Sequence, residues 1–144
     1  VAARYVVDAS VLAHDLNPDR YTAEAANLLS GLVDGHELYI PEFCLLECTN
    51  VLWKQVRFNG FPQVDAESII ADFLDLPFQV VAVYLLLPNA LKIALSHGLA
   101  VYDSLYIALA LELGCPLASV DNRQVKAALA SGVTLKPIAD FSDQ

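Results

Sequence analysis

Bases are scarce in this chain and methionine is absent: 8 Lys+Arg stand against 17 Asp+Glu, leaving a net charge of −9. That balance, with a pI near 4.5, has the wrong sign for diffuse attraction to a polyanion. A nucleic-acid ligand would have to be drawn locally, by metal ions, by a restricted basic patch or through a basic partner. Cysteine is also sparse, with 3 residues, an odd number and no Cys-x-x-Cys pair. Cys44 and Cys48 fall four apart with no histidine near them, which predicts buried, inert thiols in a reducing cytoplasm rather than a zinc site. No apolar run approaches the roughly 18 residues that span a bilayer, since Pro88, Asn89 and Lys92 interrupt the longest one. No basic start and apolar stretch of a secretory signal opens the chain, and N-terminal processing is expected from the missing methionine. No glycine-rich phosphate loop is present, which disfavours dinucleotide-binding and P-loop enzymes.

Hydrophobic residues make up 56% of the chain, enough to close one core without staples, so one domain over residues 1–144 is expected. Arg4 to Asp8 reads as a buried strand ending at its carboxylate, followed by a helical turn through Val11 and Leu12. Thr22 to Val33 has helical spacing and ends before Gly35. Leu38 to Ile40 is a second strand, and Pro41 opens a long helix that stops at Asn59-Gly60. Further on, the pattern predicts a helix over Asp65 to Leu74, a strand over Phe78 to Val83, and a helix from Asn89 to Ser96. Leu99 to Leu113 is apolar on every side and so predicts a buried helix. Pro116 to Val120 is a fourth strand, Asn122 to Ala130 a helix, and Val133 to Ile138 a fifth strand. Such alternation implies an α/β domain with a parallel sheet and helices on both faces. Ligands of such sheets gather beyond the carboxyl ends of the strands.

Four acids interrupt this apolar pattern. Asp8 and Asp121 end predicted strands, Glu47 is the only charge between Phe43 and Trp53, and Asp103 is the only one from Leu99 to Leu111. An ionised carboxylate in such surroundings must protonate, pair with a base or coordinate a cation. Helix capping is the plainer reading for Asp8, Asp103 and Asp121, and an ion pair with Lys54 the plainer one for Glu47. Taken together the acids point elsewhere, because two carboxylates about 5 Å apart repel by roughly 3 kcal/mol at an effective dielectric of 20. A divalent ion answers that repulsion, and oxygen-only donors favour a hard one such as Mg²⁺ over zinc. Ser10 and Ser119 each lie two residues from one of these acids and are candidates to brace them, local turn bonds being the alternative. His14, His36 and His97 read as surface residues. The pairs Lys54 with Arg57 and Arg123 with Lys126 share helix faces, as ordinary solvated surface or as contacts to a nucleic-acid backbone.

Four segments in order, VVDASVL from Val6, PEFCLLECTNVLWK from Pro41, and the aspartate-led helix and following strand of YDSLYIALALELGCPLASVDNR from Tyr102, resemble the PIN-domain family over almost the whole chain. That resemblance implies a three-layer α/β/α sandwich with a five-stranded parallel sheet of order 3-2-1-4-5, which sets strands one and four side by side. It carries over an acidic site of Asp8, Glu47, Asp103 and Asp121, which would serve as catalytic and metal-binding residues for Mg²⁺ or Mn²⁺. The size of the chain is similar to that of VapC-type toxins, endoribonucleases held by an antitoxin protein, and the family implies frequent homodimers. The expected activity is therefore hydrolysis of RNA in the cytoplasm, without a membrane, by a metal-assisted route. A housekeeping RNA-processing nuclease, or a PIN-fold RNA- or protein-binding module without catalysis, is the alternative. A phosphoaspartyl enzyme fits less well, since Asp8-Ala-Ser lacks a second aspartate and the late strand offers no lysine.

Overall fold

A computed structural model of the chain describes residues 3–16, 22–31 and 34–141. The elements are β1 (Arg4–Val7), α1 (Ala9–Leu16), α2 (Thr22–Ser30), β2 (Glu37–Pro41), α3 (Glu42–Asn59), α4 (Gln63–Asp75), β3 (Gln79–Val81), α5 (Leu87–His97), α6 (Val101–Leu113), β4 (Leu117–Ala118) and α7 (Asn122–Ala130). Short 3-10 turns occupy Tyr84–Leu86 and Ile138–Phe141. All strand pairs are parallel, in the order β3-β2-β1-β4. Val6 pairs with Leu117 and Val7 with Ala118, so β1 and β4 end side by side.

The expected fifth strand is where structure and sequence differ. Val133 to Ile138 contributes a single parallel bridge, Leu135 to Leu117, instead of a strand. Leu117 N–H donates to Thr134 O and Lys136 N–H to Leu117 O, both over 2.9 Å. The pairing then ends as the chain passes Pro137 and turns into the 3-10 segment at Ile138. Proline also shifts two expected helix starts. Pro41 closes β2 in an extended conformation as the N-cap of α3, while Pro88 sits in the first turn of α5, which begins at Leu87. The helix expected over Thr22 to Val33 is described as far as Ser30, and Val33 lies outside the described residues. Gly60 ends α3 at φ 69° and returns its N–H to Gln55 O, a left-handed cap that a side chain would strain.

The core lies around α6. Ser104 to Ala110 are buried without a break, and α6 touches β1, β2, β4, α5 and α7. A helix enclosed on every side cannot show an apolar stripe, which is why its sequence has none. Val6, Val7, Leu38, Ile40 and Leu117 fill the sheet side of this core, and Cys44 and Cys48 bury one face of α3. No single helix among the described residues is long and apolar enough to cross a membrane.

Candidate active site

Asp8 follows directly on β1, where its N–H donates to Ala118 O of β4 over 3.0 Å. Its side chain is 4% exposed. Oδ2 accepts from Ser10 Oγ at 2.5 Å and from Ser10 N–H at 3.3 Å, which locks the carboxylate above the first turn of α1. Oδ1 has no hydrogen bond among the described residues. Burial raises the Asp8 pKa, the bonds from Ser10 and Ser119 oppose this, and the charge of Asp103 adds to it.

Ser119 stands at the end of β4, against the same carboxylate. Its Oγ lies 3.2 Å from Asp8 Oδ2 and 2.5 Å from Gln124 Oε1, and it accepts from Asp121 N–H at 3.1 Å. A hydroxyl has one proton to give, so two acceptors compete for it. Gln124 Nε2 donates to Asp103 O over 2.9 Å, which fixes the amide with Oε1 toward Ser119. Gln124, 1% exposed, thereby joins the end of β4 to α6 beneath the acids.

Asp121 is the N-cap of α7, with Oδ1 accepting from Arg123 N–H at 3.0 Å and Gln124 N–H at 3.2 Å. The capping explanation therefore holds for this acid, and for Asp8 through the bond of Oδ2 with Ser10 N–H in the first turn of α1. It does not hold for Asp103, since the N-cap of α6 is Ala100 and no side chain caps that helix. Burial raises the Asp103 pKa and the charge of Asp121 raises it further, while Arg123 lowers it. Nor does Glu47 pair with Lys54. Its Oε1 accepts the Tyr106 hydroxyl at 2.5 Å. Burial pushes the Glu47 pKa up to about 7, with Tyr106 opposing and the charges of Asp8 and Asp103 reinforcing the shift. Burial likewise pushes the Tyr106 phenol upward, so that it remains a donor.

The four acids thus stand on one edge of the sheet. Asp8 repels both Glu47 and Asp103, Glu47 and Asp103 repel each other, and Asp103 repels Asp121. Among the described residues none of them forms a salt bridge; the ion pairs there are Arg4 with Glu37 and Lys136 with Asp140. No three Asp, Glu, His or Cys side chains among the described residues close a ready-made cage around one ion. The donor set nonetheless suits Mg²⁺ or Mn²⁺: the oxygens are hard, the buried Asp8 has no partner at Oδ1 among the described residues, and Mg²⁺ usually takes one or two carboxylates and keeps several waters.

The basic pairs are placed differently. Lys54 and Arg57 are exposed, and Lys54 lies about 10 Å along α3 from Glu47 at 1.5 Å per residue. Arg123 stands beside Asp103, with Nη2 donating to Gly98 O over 3.0 Å, and Lys126 is one turn further along α7. His97 is exposed, as expected, but His36 is half-buried, accepting from Ala3 N–H at 3.1 Å and stacked on Tyr5. The side chain of His14 lies outside the described residues. Tyr106 and Gln124 were missed as site residues. The signals available were a phenol three residues after Asp103, hence on its face of α6, and a glutamine three residues after the cap Asp121.

The chain resembles known proteins in sequence and in fold. The chain is 29% identical over 123 residues to Ribonuclease VapC3 of Pyrobaculum aerophilum, covering 83% of this chain and 91% of that protein. The crystal structure of PAE2754 from Pyrobaculum aerophilum superposes with a TM-score of 0.71 at 24% identity, over 96% of this chain and 86% of that one. VapBC2 from Rickettsia felis, solved bound to a DNA fragment from its promoter, gives a TM-score of 0.67 at 14% identity over 93% of this chain and 98% of that one. At these identities the two structures speak for the fold. A PIN domain model matches residues 5–129. Because that match runs from within β1 to the last turn of α7 and takes in all four acids, the chain belongs to the PIN domain family.

Proposed function

We infer that this chain is a single PIN-type domain that hydrolyses RNA phosphodiester bonds with Mg²⁺ or Mn²⁺, as the toxin of a toxin–antitoxin pair. One observation carries the reading: Asp8 is buried and, among the described residues, forms no salt bridge and has no hydrogen bond to Oδ1, while its neighbours Glu47 and Asp103 repel it. A carboxylate kept in that state calls for a cation. When bound, the divalent ion supplies an activated water and offsets charge on the phosphate.

The protein's own part is placement. Ser10 holds the Asp8 rotamer through two bonds to Oδ2, which leaves Oδ1 for an ion. Tyr106 holds Glu47, and Asp103 presents a carboxylate with no capping duty. Asp121 spends Oδ1 on α7 and keeps Oδ2 for a water or an ion. The likeness to Ribonuclease VapC3 supports RNA as substrate, and the free thiols of Cys44, Cys48 and Cys115 fit a reducing cytoplasm as the place of action. The likeness to VapBC2 supports an antitoxin partner. Leu87, Leu91 and Leu95, 44%, 50% and 77% exposed along one side of α5, supply apolar surface for that partner or for a homodimer.

The decisive experiment compares the parent with Asp8→Asn on structured RNA, in Mg²⁺ and after chelation. Cleavage by the parent in Mg²⁺ alone is expected. Equal cleavage by both proteins, or cleavage unaffected by the chelator, removes the proposal.

A further inference from the structure

A chain with net charge −9 repels a polyanion everywhere except where its few bases meet. Three of them meet at one place. His97 from the last turn of α5, with Arg123 and Lys126 from α7, lines a cleft of about 260 Å³ floored by Leu99, Ala127 and Ala130. All three bases are exposed, and among the described residues neither Arg123 nor Lys126 is in a salt bridge. Arg123 is held in place by its bond to Gly98 O, and four further guanidinium N–H groups remain for a ligand. His97 Nε2 lies 3.2 Å from Ser131 Oγ, which leaves its other ring nitrogen for a ligand.

The position of this cleft relates it to the acids. Gly98 and Leu99 lead directly into α6, where Asp103 lies in the first turn, and the charge of Arg123 reaches the Asp103 carboxylate. We propose that the His97–Arg123–Lys126 cleft binds a backbone phosphate of the RNA strand next to the one cut at the acids. The proposal rests on the nuclease reading and adds to it the place where the strand is gripped. Guanidinium and ammonium groups suit a phosphodiester as fork and point charge, and the small apolar floor lets the backbone approach closely. Of the other basic pair, Arg57 lines a different cavity, between α3 and α4, with Trp53, Val56 and Ile70.

The test is equilibrium binding of a single-stranded RNA oligonucleotide to full-length Asp8→Asn protein in Mg²⁺, followed by fluorescence anisotropy over a salt series. Pairing Arg123→Ala with Lys126→Ala in that protein is expected to weaken binding about tenfold and to lower the slope of log K against log salt by roughly 1.4, or 0.7 per lost contact. His97→Ala is expected to weaken binding severalfold, and Lys54→Ala with Arg57→Ala to change it less than twofold. Thermal unfolding confirms that each variant is folded, and Lys126→Gln, on an exposed position, serves if the double variant is not. Equal losses from the two basic pairs overturn the proposal, as does no loss from the α7 pair. Inorganic phosphate is the second probe: competition with RNA at millimolar phosphate supports a phosphate cleft, whereas phosphate binding in a protein that ignores RNA overturns the assignment to a strand. RNA binding that depends on the cleft in a protein that never cleaves leaves the grip standing and removes the nuclease reading. RNA binding indifferent to the cleft in a protein that does cleave has the reverse meaning.

Discussion

Tyr106 on α6 donates its hydroxyl hydrogen to Glu47 Oε1 on α3 across 2.5 Å, so a single bond ties two helices together at the acid edge of the sheet. That bond lowers the Glu47 pKa, against burial and two neighbouring charges that raise it to about 7 from an ordinary value of 4.5. The folded protein therefore holds this proton more tightly than the unfolded chain does. Its contribution to stability is complete below about 4.5 and is lost as pH rises to about 7. In chelator, chemical denaturation should show the protein losing stability between those values, and Glu47→Gln should flatten the loss. Tyr106→Phe should carry the window above pH 7 and move the acid limb of RNA cleavage the same way. An unmoved profile in Tyr106→Phe would separate the phenol from the acid.

Asp8 and Asp121 should respond oppositely to substitution. Asp8→Asn removes a charge from a buried, repulsive setting and should stabilise the metal-free protein by about 1 kcal/mol, near 3 °C in Tm for a chain of this size. Asp121→Ala deletes the cap of α7 and should cost about 1 kcal/mol, whereas Asp121→Asn keeps the cap and should cost far less. Calorimetry in chelator checks all three. A lower Tm for Asp8→Asn would mean that its charge is satisfied without a cation.

Gln124 offers a test of the scaffold beneath the acids. Gln124→Leu leaves the Ser119 hydroxyl and the Asp103 carbonyl without their partner, and should destabilise the protein by about 1 to 3 kcal/mol. The freed hydroxyl can then turn fully to Asp8 Oδ2, 3.2 Å away. Urea denaturation measures the cost, and no change in midpoint would show that the amide is replaceable by packing alone.

Most of the architecture was legible because period and punctuation agree. The buried run of α6, the proline and glycine bounds of α3 and the acid-ended β1 are all written in residue type. The fifth strand was not legible in the same way, because Val133 to Ile138 is apolar enough for a strand, and only the short span of β4 and the 3-10 turn that begins at Ile138 confine it to one bridge. At the site, the acids stood out against an apolar background. Tyr106 and Gln124 did not, since a tyrosine in a core helix and a glutamine in an amphipathic one are unremarkable until their partners, 59 residues away in one case and 21 in the other, are in view.

Asp103 and Tyr106 ride on a helix whose next turns are walled in from Ser104 to Ala110. A rod gripped along its length can neither roll nor slide without repacking the whole interior, so the two groups it bears are fixed points of the molecule. Adjustment to a different strand or sequence is left to α3 and α7, each with one face open to water. Substitutions that retune what the protein cuts are therefore expected to gather on those two helices, while α6 drifts only in volume-preserving steps.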